Sequence, residues 1–162
     1  MKTNFIKLSR LLVPVCLFFF SAQATAEECT SMMSVQISHF VTHNNDYGGH
    51  LNAHVLGQSP PNGFTQNGKT IFRDSHDWED AYSALENQEP GLQCNPNAPI
   101  GSEAARTLPR QYFSYQCTAA DAQDRCTNGN EIQTNHVTYV FRVMQNGAGK
   151  RWIVYTAYPT PQ

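Results

Sequence analysis

Hydrophobic residues change their spacing along the chain, from a mixed pattern in the first third to strict alternation in the last. Over residues 29–55 apolar positions recur at mixed spacing and are interrupted at Gly48 and Gly49. This pattern predicts a short helix, a turn at the glycine pair, and a second short helix that carries residues 50–55. Residues 57–68 are rich in Gly, Pro, Ser and Asn, which predicts an exposed loop.

The strongest helical pattern follows that loop. Asp74 or Ser75 can cap the start of this helix, and Pro90 with Gly91 ends it. Its apolar face has i, i+3, i+4 and i+7 spacing. The face consists of Trp78, Ala81, Tyr82 and Leu85.

Alternating β-branched and aromatic residues predict strands in the last third of the chain. The predicted strands cover residues 111–118, 136–145 and 151–158. A turn sequence at residues 146–149, Asn-Gly-Ala-Gly, predicts a hairpin between the last two. Helices followed by antiparallel strands are typical of the α+β class, and one domain accounts for residues 27–162.

The first 26 residues have the pattern of a secretory signal peptide. Three cations precede an apolar run over residues 11–20, and the small residues Ala24, Thr25 and Ala26 follow it. The apolar run is too short to span a bilayer. We therefore expect cleavage after Ala26 and a mature protein in the periplasm or outside the cell, with no membrane attachment after cleavage.

Four cysteines remain after the predicted cleavage: Cys29, Cys94, Cys117 and Cys126. An even number in an exported chain predicts two disulfides, whereas a structural zinc site usually contains a C-x-x-C pair, which is missing here. Three pairings are possible. We favour Cys117 with Cys126 and Cys29 with Cys94, because the first bridge would hold a polar stretch that has no hydrophobic pattern of its own.

Charge limits the function classes that are open to the mature protein. The full chain of 162 residues has 11 Lys and Arg against 13 Asp and Glu, and the leader takes three cations and no acid, so the mature net charge is −5. An acidic surface argues against general nucleic-acid binding, which needs a basic face. A local cluster of cations can still form a small positive cleft. The candidates are Lys69, Arg73, Lys150 and Arg151.

Two histidine pairs have i, i+4 spacing: His39 with His43, and His50 with His54. On a helix each pair would share one face, which is compatible with a zinc site. The H-E-x-x-H pattern of zinc hydrolases requires Glu after the first histidine, and that position is Leu51 here. Histidines that form hydrogen bonds in the core or on the surface are the simpler interpretation.

Three segments together resemble a known family. They are GGHLNAHV at residues 48–55, TIFRD at residues 70–74 before the Trp78 helix, and IVYTAYP at residues 153–159. Their order resembles the RNase A-like toxin domain at the C-termini of bacterial contact-dependent growth inhibition proteins, and the similarity runs from about Gly48 to the end. The resemblance implies N-terminal helices packed on a curved antiparallel sheet, and RNA cleavage without a metal or other cofactor.

The resemblance also assigns roles to residues. The family's catalytic histidine corresponds to His54, and its Thr-x-Tyr on the last strand corresponds to Thr156 and Tyr158. The family arginine that follows the histidine has no counterpart, since a loop without any cation stands there. Lys69 and Arg73 are the nearest replacements, and we favour Lys69 because Arg73 adjoins Asp74 and can form a local ion pair.

These residue types fit metal-free RNA cleavage. A histidine that titrates near neutrality can deprotonate the 2′-hydroxyl, and a fixed cation with hydroxyl donors can stabilise the charge that develops on phosphorus. Thr156 and Tyr158 would share one strand face and donate to the same phosphate, although such pairs often only pack across a sheet. His50 and His136 are candidate substrate-binding residues, and His136 is also a candidate second acid or base.

The sequence therefore favours an exported, monomeric endoribonuclease that cleaves RNA by 2′-hydroxyl transphosphorylation, as a toxin or an extracytoplasmic RNase. An immunity or inhibitor protein is a possible partner besides the RNA substrate. The alternative is a non-catalytic periplasmic binding or inhibitor module on the same fold. A metal-dependent hydrolase that uses His50 and His54 is a third hypothesis.

Overall fold

The computed structural model describes residues 26–161. Three α-helices, three 3₁₀ helices and six strands form in this range. The α-helices are α1 (Met33–Ser38), α2 (Val41–Asn44) and α3 (Ser75–Glu86), and the 3₁₀ helices are Cys29–Ser31, Asn45–Tyr47 and Leu51–His54. The strands are β1 (Glu27–Glu28), β2 (Thr70–Phe72), β3 (Gln93–Cys94), β4 (Glu103–Ala120), β5 (Cys126–Asn146) and β6 (Gly149–Thr160). The α+β class is confirmed.

One antiparallel sheet has the strand order β2-β4-β5-β6, and β1 pairs separately with β3. The long strands β4 and β5 pair with each other and each has a second partner. Strand β2 pairs with the later part of β4, and β6 pairs with the later part of β5. Between Pro109 and Tyr112 the register shifts. Strands β2 and β6 also contact each other although they are the two edges of the sheet. The sheet is therefore strongly curved, and its two edges approach one another.

Helix α3 packs on one face of this sheet and forms as the sequence predicts. Asp74 is its N-cap, and the side chain accepts a hydrogen bond from the Asp77 amide at 2.9 Å. The Tyr139 hydroxyl of β5 donates to the Ala81 carbonyl at 2.7 Å. The predicted apolar face is buried: Trp78, Ala81, Tyr82 and Leu85. Burying the larger of these side chains contributes roughly 1.5–3 kcal/mol each.

Both favoured disulfides are confirmed. Cys29–Cys94 joins the first 3₁₀ helix to β3, and Cys117–Cys126 closes the hairpin between β4 and β5. The Asp121 carboxylate organises the tip of that hairpin by accepting from the amides of Gln123 and Arg125. Side-chain and main-chain hydrogen bonds, rather than hydrophobic packing, therefore order the polar stretch between the two cysteines.

The predicted strands are too short at their N-terminal ends. Strand β4 begins at Glu103 instead of residue 111, and β5 begins at Cys126 instead of residue 136. The missed part of β5 is exposed at most positions through Glu131, so it has no buried face to produce an alternating pattern. Main-chain pairing with β4 forms it, and that pairing leaves no hydrophobic signal.

The helical predictions before residue 57 need correction. Residues 50–55 do not form an α-helix, since a 3₁₀ helix occupies Leu51–His54. His39 and His43 do not share a helix face either, because α1 ends at Ser38 and the chain turns before α2. Gly48, with φ of 89°, provides the turn that the glycine pair predicts.

Two further expectations concern the 57–68 loop and the first 26 residues. The 57–68 loop is a loop but it is not exposed throughout, because Gln66 is fully buried. The signal-peptide prediction falls on residues 1–25, which lie outside the described residues, and on Ala26 at their edge. Among residues 26–161, no helix has both the length and the apolar character needed to cross a membrane.

Candidate active site

The 3₁₀ helix Leu51–His54 lies where the two edges of the curved sheet approach each other. Its start is fixed to β6, because the His50 amide donates to the Tyr155 carbonyl at 2.8 Å. Its end is fixed to β2, since Val55 forms a parallel bridge with Phe72. Leu51 and Val55 anchor this segment in the hydrophobic core. The fold therefore holds His54 between β2 and β6.

Both histidines of this segment are buried against aromatic rings. His54 is 8% exposed, and its ring centroid lies 5.2 Å from that of Tyr158. His50 is 9% exposed, and its ring centroid lies 6.0 Å from that of His54. Tyr155 approaches His50 edge-on, with the ring centroids 4.4 Å apart. The second histidine pair thus forms a cluster with β6, although no α-helix brings its members together.

Polar atoms in this cluster are buried without hydrogen-bond partners among the described residues. They are Nδ1 of His50, Nδ1 of His54 and Oγ1 of Thr156. Thr156 is 5% exposed and lies on β6, two residues before Tyr158, so the two side chains share a face of the strand as predicted. Because a buried polar atom without a partner is costly, these atoms are suited to bind a ligand.

Positive charge surrounds the two histidines. Burial, followed by the charges of Lys69 and His50, lowers the pKa of His54 from 6.5 to about 3, against a smaller opposing effect of the Thr70 backbone. Burial, Lys69 and Arg142 lower the pKa of His50 to about 4. Burial also lowers the pKa of Lys69. Every charged side chain that shifts the pKa of either histidine is a cation, so the site favours an anion although the chain as a whole is acidic.

Lys69 and Arg73 occupy different environments. In residues 26–161 Lys69 forms no ion pair, and its Nζ lies 5.8 Å from the centroid of the Phe64 ring. Arg73 forms a two-pronged ion pair with Asp77, with Nε 2.9 Å from Oδ2 and Nη2 3.2 Å from Oδ1. The expected local ion pair of Arg73 is therefore real, but its partner is Asp77 and not Asp74. The structure brings Lys69, and not Arg73, to the histidine cluster.

His136 lies further along the sheet. It pairs with Thr160 of β6, and its Nδ1 is 2.8 Å from the Asn135 Oδ1. Tyr158 is opposite Thr138, two residues after His136, so the three side chains belong to one sheet face. His136 is thus placed beside Tyr158 along the sheet and outside the contacts of the His50 and His54 rings.

The donor set around His50 and His54 does not favour a metal. Within residues 26–161, the potential ligand groups that converge in threes are Asp74, His76 and Asp77 at the start of α3, of which Asp74 and His76 are exposed and Asp77 is buried. No carboxylate or thiol in that range joins His50 and His54 in such a group. Zinc sites normally combine at least three protein ligands, so the histidine pair suits proton transfer and anion contact better. The hypothesis of a metal hydrolase on this pair loses its main support.

Two residues of the site were missed in the sequence. Arg142 of β5 lies over Tyr155, with Cζ 4.8 Å from the ring centroid, and adds positive charge beside His50. The alternation of β5 places Arg142 on the face of Thr138, which was a usable signal. Buried Gln66 was not detectable, because nothing in a polar loop distinguishes one glutamine from its neighbours.

No protein-family model, curated protein or solved structure matches this chain. The fold and the site therefore define its class by themselves. It is an α+β protein with two disulfides. A buried histidine pair, a lysine and two hydroxyl side chains lie together where the two edges of its curved antiparallel sheet approach each other.

Proposed function

We propose that this chain is a metal-independent endoribonuclease similar to the RNase A-like toxin domains. The main support for this proposal is that four side chains lie together, with His50 beside them. They are His54, Lys69, Thr156 and Tyr158. These side chains come from three separate parts of the sequence. Their types are those that phosphodiester cleavage without a metal requires: a base, a cation and hydroxyl donors.

The low pKa of His54 supports its role as the base. A histidine whose pKa is about 3 is neutral at pH 7 and has a free lone pair with which to accept the 2′-hydroxyl proton. A bound phosphate would add negative charge beside both rings and raise their pKa toward the working pH. His54 then accepts a proton during attack on phosphorus, while His50 contacts the phosphate.

The remaining groups stabilise the charge that develops. Lys69 lies near both histidines without an acidic partner of its own in the described chain, so its charge is available to a phosphate. The Thr156 hydroxyl is buried and has no hydrogen-bond partner among residues 26–161, and Tyr158 lies on the same face of β6. Fixed donors of this kind typically contribute about 2.7–4 kcal/mol each to transition-state stabilisation. His136, on the same sheet face as Tyr158, is the candidate to protonate the leaving 5′ oxygen.

Export fits this activity. Two disulfides are compatible with an oxidising compartment, and dependence on them would protect the producing cell from its own nuclease. The proposal thus includes a periplasmic or secreted location for a monomer, with RNA as substrate and an immunity or inhibitor protein as a further partner.

Cleavage of RNA by the purified oxidised protein tests the proposal. A fluorescent RNA oligonucleotide is incubated with the protein in EDTA, beside the same sequence as DNA and as 2′-O-methyl RNA. We expect cleavage of the RNA alone, with 2′,3′-cyclic phosphate ends, and loss of cleavage in His54→Ala. His76→Ala is the matched control, because the His76 side chain is 78% exposed and lies on α3. Cleavage of 2′-O-methyl RNA, or cleavage that EDTA abolishes, would contradict this mechanism.

A second candidate function is a non-catalytic binding or inhibitor module on this fold. The limited exposure of His50 and His54 favours it, because a site that binds a polynucleotide is normally more open. The mature charge of −5 also suits a partner with a basic surface. A stoichiometric periplasmic partner, together with no cleavage of any RNA by the oxidised protein, would establish this alternative.

A further inference from the structure

Gln66 is a fully buried amide in the 57–68 loop, in which only about half of the other residues are exposed. Its Nε2 donates to three main-chain carbonyls, those of Val55 at 2.7 Å, Asn52 at 2.9 Å and Gln58 at 3.2 Å. Its Oε1 accepts from the Cys126 amide at 2.8 Å. Both N–H groups of the side chain are therefore used within the protein, with the longest of the three contacts sharing a hydrogen, and Oε1 accepts one hydrogen bond.

The main chain around Gln66 is tied to the disulfide hairpin as well. The Gln66 amide donates to the Asp124 carbonyl at 3.0 Å. Two residues later, the Gly68 amide donates to the Cys117 carbonyl at 3.0 Å, and the Lys69 carbonyl accepts from the Cys117 amide at 2.9 Å. Lys69 thus belongs to a segment that the Cys117–Cys126 hairpin holds in place.

The three carbonyls that Gln66 binds belong to the other half of the site. Asn52 and Val55 flank His54, and Gln58 begins the loop that follows it. One buried side chain therefore connects the main chain around His54 to the segment that carries Lys69. A substitution at this position cannot remove these main-chain partners and leaves them without the amide, so Gln66 contributes to stability as well as to this connection.

We propose that Gln66 is a positioning residue that sets the separation between His54 and Lys69. This inference deepens the proposed function and rests on it for its catalytic consequence, but its structural part stands on the hydrogen bonds alone. Without the amide, the hairpin loses its hydrogen-bonded link to the main chain around His54, and the segment of Lys69 keeps only the contact of β2 with Val55 and Leu56. Lys69 then moves away from the histidine ring, and its charge acts on that ring more weakly.

The test measures the titration of the His54 ring by NMR in four oxidised proteins: the unchanged chain, Gln66→Met, Lys69→Met and the double variant. Lys69 is one of the causes that hold the pKa of His54 low. We expect the pKa of His54 to rise in each single variant. In the double variant we expect no rise beyond that of Lys69→Met, because a residue that acts through Lys69 has nothing to add once the charge is gone.

Asn67→Ala is the matched control, because Asn67 is an exposed amide next to Gln66 in the same loop. We expect it to leave the His54 titration unchanged. Equal pKa rises from Gln66→Met with and without Lys69 would overturn the proposal and show that Gln66 acts only through burial of His54. Gln66→Asn is a second variant, which keeps the uncharged amide but is one methylene too short to reach the main chain around His54 and the Cys126 amide together. Loss of near-UV circular dichroism in both variants would also overturn the proposal, since Gln66 would then serve the stability of the fold.

Kinetics separate this inference from the proposed function. If the protein cleaves RNA, Gln66→Met should lower kcat about tenfold or more and change KM little, because misplaced catalytic groups mainly affect the chemical step. If the unchanged protein cleaves no RNA, the proposed function fails, and the NMR titration still decides whether Gln66 positions Lys69.

Discussion

Phe64 lies flat against His50, with the ring centroids 4.1 Å apart and the ring planes 12° from parallel. The Tyr155 ring packs edge-on against the same histidine from another side. Phe64 comes from the 57–68 loop, which otherwise contributes mainly polar residues. A loop that sequence patterns present as solvent-exposed therefore covers the histidine cluster, and burial is the largest cause of the low pKa of His50.

Replacing Phe64 by Ala should raise the pKa of His50 from about 4 toward its usual value. The physical reason is renewed contact with water, which stabilises the protonated ring. NMR titration of the histidine ring protons measures this change. Phe40→Ala is the control, because Phe40 is exposed and contacts His39 and His43 instead. An unchanged His50 titration in Phe64→Ala would show that the cations, and not the aromatic cover, depress the pKa.

The free energy of unfolding should depend on pH through His54. Its folded pKa of about 3 is below the unfolded value of 6.5, so the unfolded chain binds more protons between these limits. The contribution of His54 to the free energy of unfolding is fully present above pH 6.5 and is lost as the pH falls toward 3. One such group contributes a slope of at most about 1.4 kcal/mol per pH unit.

Urea unfolding of the oxidised protein between pH 4.5 and 7 measures that slope. We expect His54→Asn to unfold with a shallower pH dependence than the unchanged protein, because the side chain no longer titrates. His76→Asn, at an exposed position of α3, should keep the original slope. Parallel curves for the unchanged protein and His54→Asn would contradict a buried neutral His54.

The sequence predicts most of the framework of this fold. The apolar face of α3, both disulfides and the hairpin between β5 and β6 each produce a local signal, through helical spacing, cysteine number and turn residues. The first part of β5 does not, because its exposed residues bury no face. Nor does the register shift between Pro109 and Tyr112, which depends on the pairing of β4 with β5.

The candidate site was predicted through a resemblance more than through periodicity. His54, Thr156 and Tyr158 do converge, yet the reason is the contact between β2 and β6 around a 3₁₀ helix, which no sequence pattern indicates. The choice between Lys69 and Arg73 is clearer, since the adjacent Asp74 already indicated a local ion pair for Arg73. The partner was wrong, because Asp77 lies one helical turn further on and forms the pair.

Lys69→Met should reduce RNA cleavage about a hundredfold or more while leaving the thermal midpoint nearly unchanged. Lys69 lies near both histidines and forms no ion pair among the described residues, so its removal costs charge stabilisation and little folding energy. Lys150→Met is the matched control, because Lys150 is exposed and binds the carbonyls of Asn97 and Ala98. Equal activity losses in the two variants would indicate a general electrostatic effect on RNA binding.

Arg73→Met should show the opposite pattern. Arg73 is paired with Asp77, whose side chain is only 12% exposed, so its removal leaves a largely buried carboxylate without its partner. We expect a loss of about 1 kcal/mol in unfolding free energy and a much smaller activity loss than in Lys69→Met. Chemical denaturation and cleavage rates measure the two effects side by side. A larger activity loss in Arg73→Met than in Lys69→Met would transfer the catalytic charge to Arg73.

The two disulfides should separate stability from activity. Cys29–Cys94 closes a sequence separation of 65 residues and Cys117–Cys126 one of nine, so chain entropy predicts stabilisation of about 4 and about 2.5 kcal/mol respectively. Replacing Cys29 and Cys94 by Ala should therefore lower the thermal midpoint more. Replacing Cys117 and Cys126 by Ala should lower RNA cleavage more at a temperature where both variants are folded.

The physical reason for the second effect is the position of the hairpin. The main chain of Cys117 is hydrogen-bonded to Lys69, and the Cys126 amide is hydrogen-bonded to Gln66, so a looser hairpin moves Lys69, the cation of the proposed site. The first disulfide has no such contact with Lys69 or Gln66 in the described chain. Thermal melts and cleavage rates of the two double variants, compared at matched folded fractions, measure the difference. Equal cleavage rates at equal folded fractions would contradict a role of the hairpin in holding Lys69.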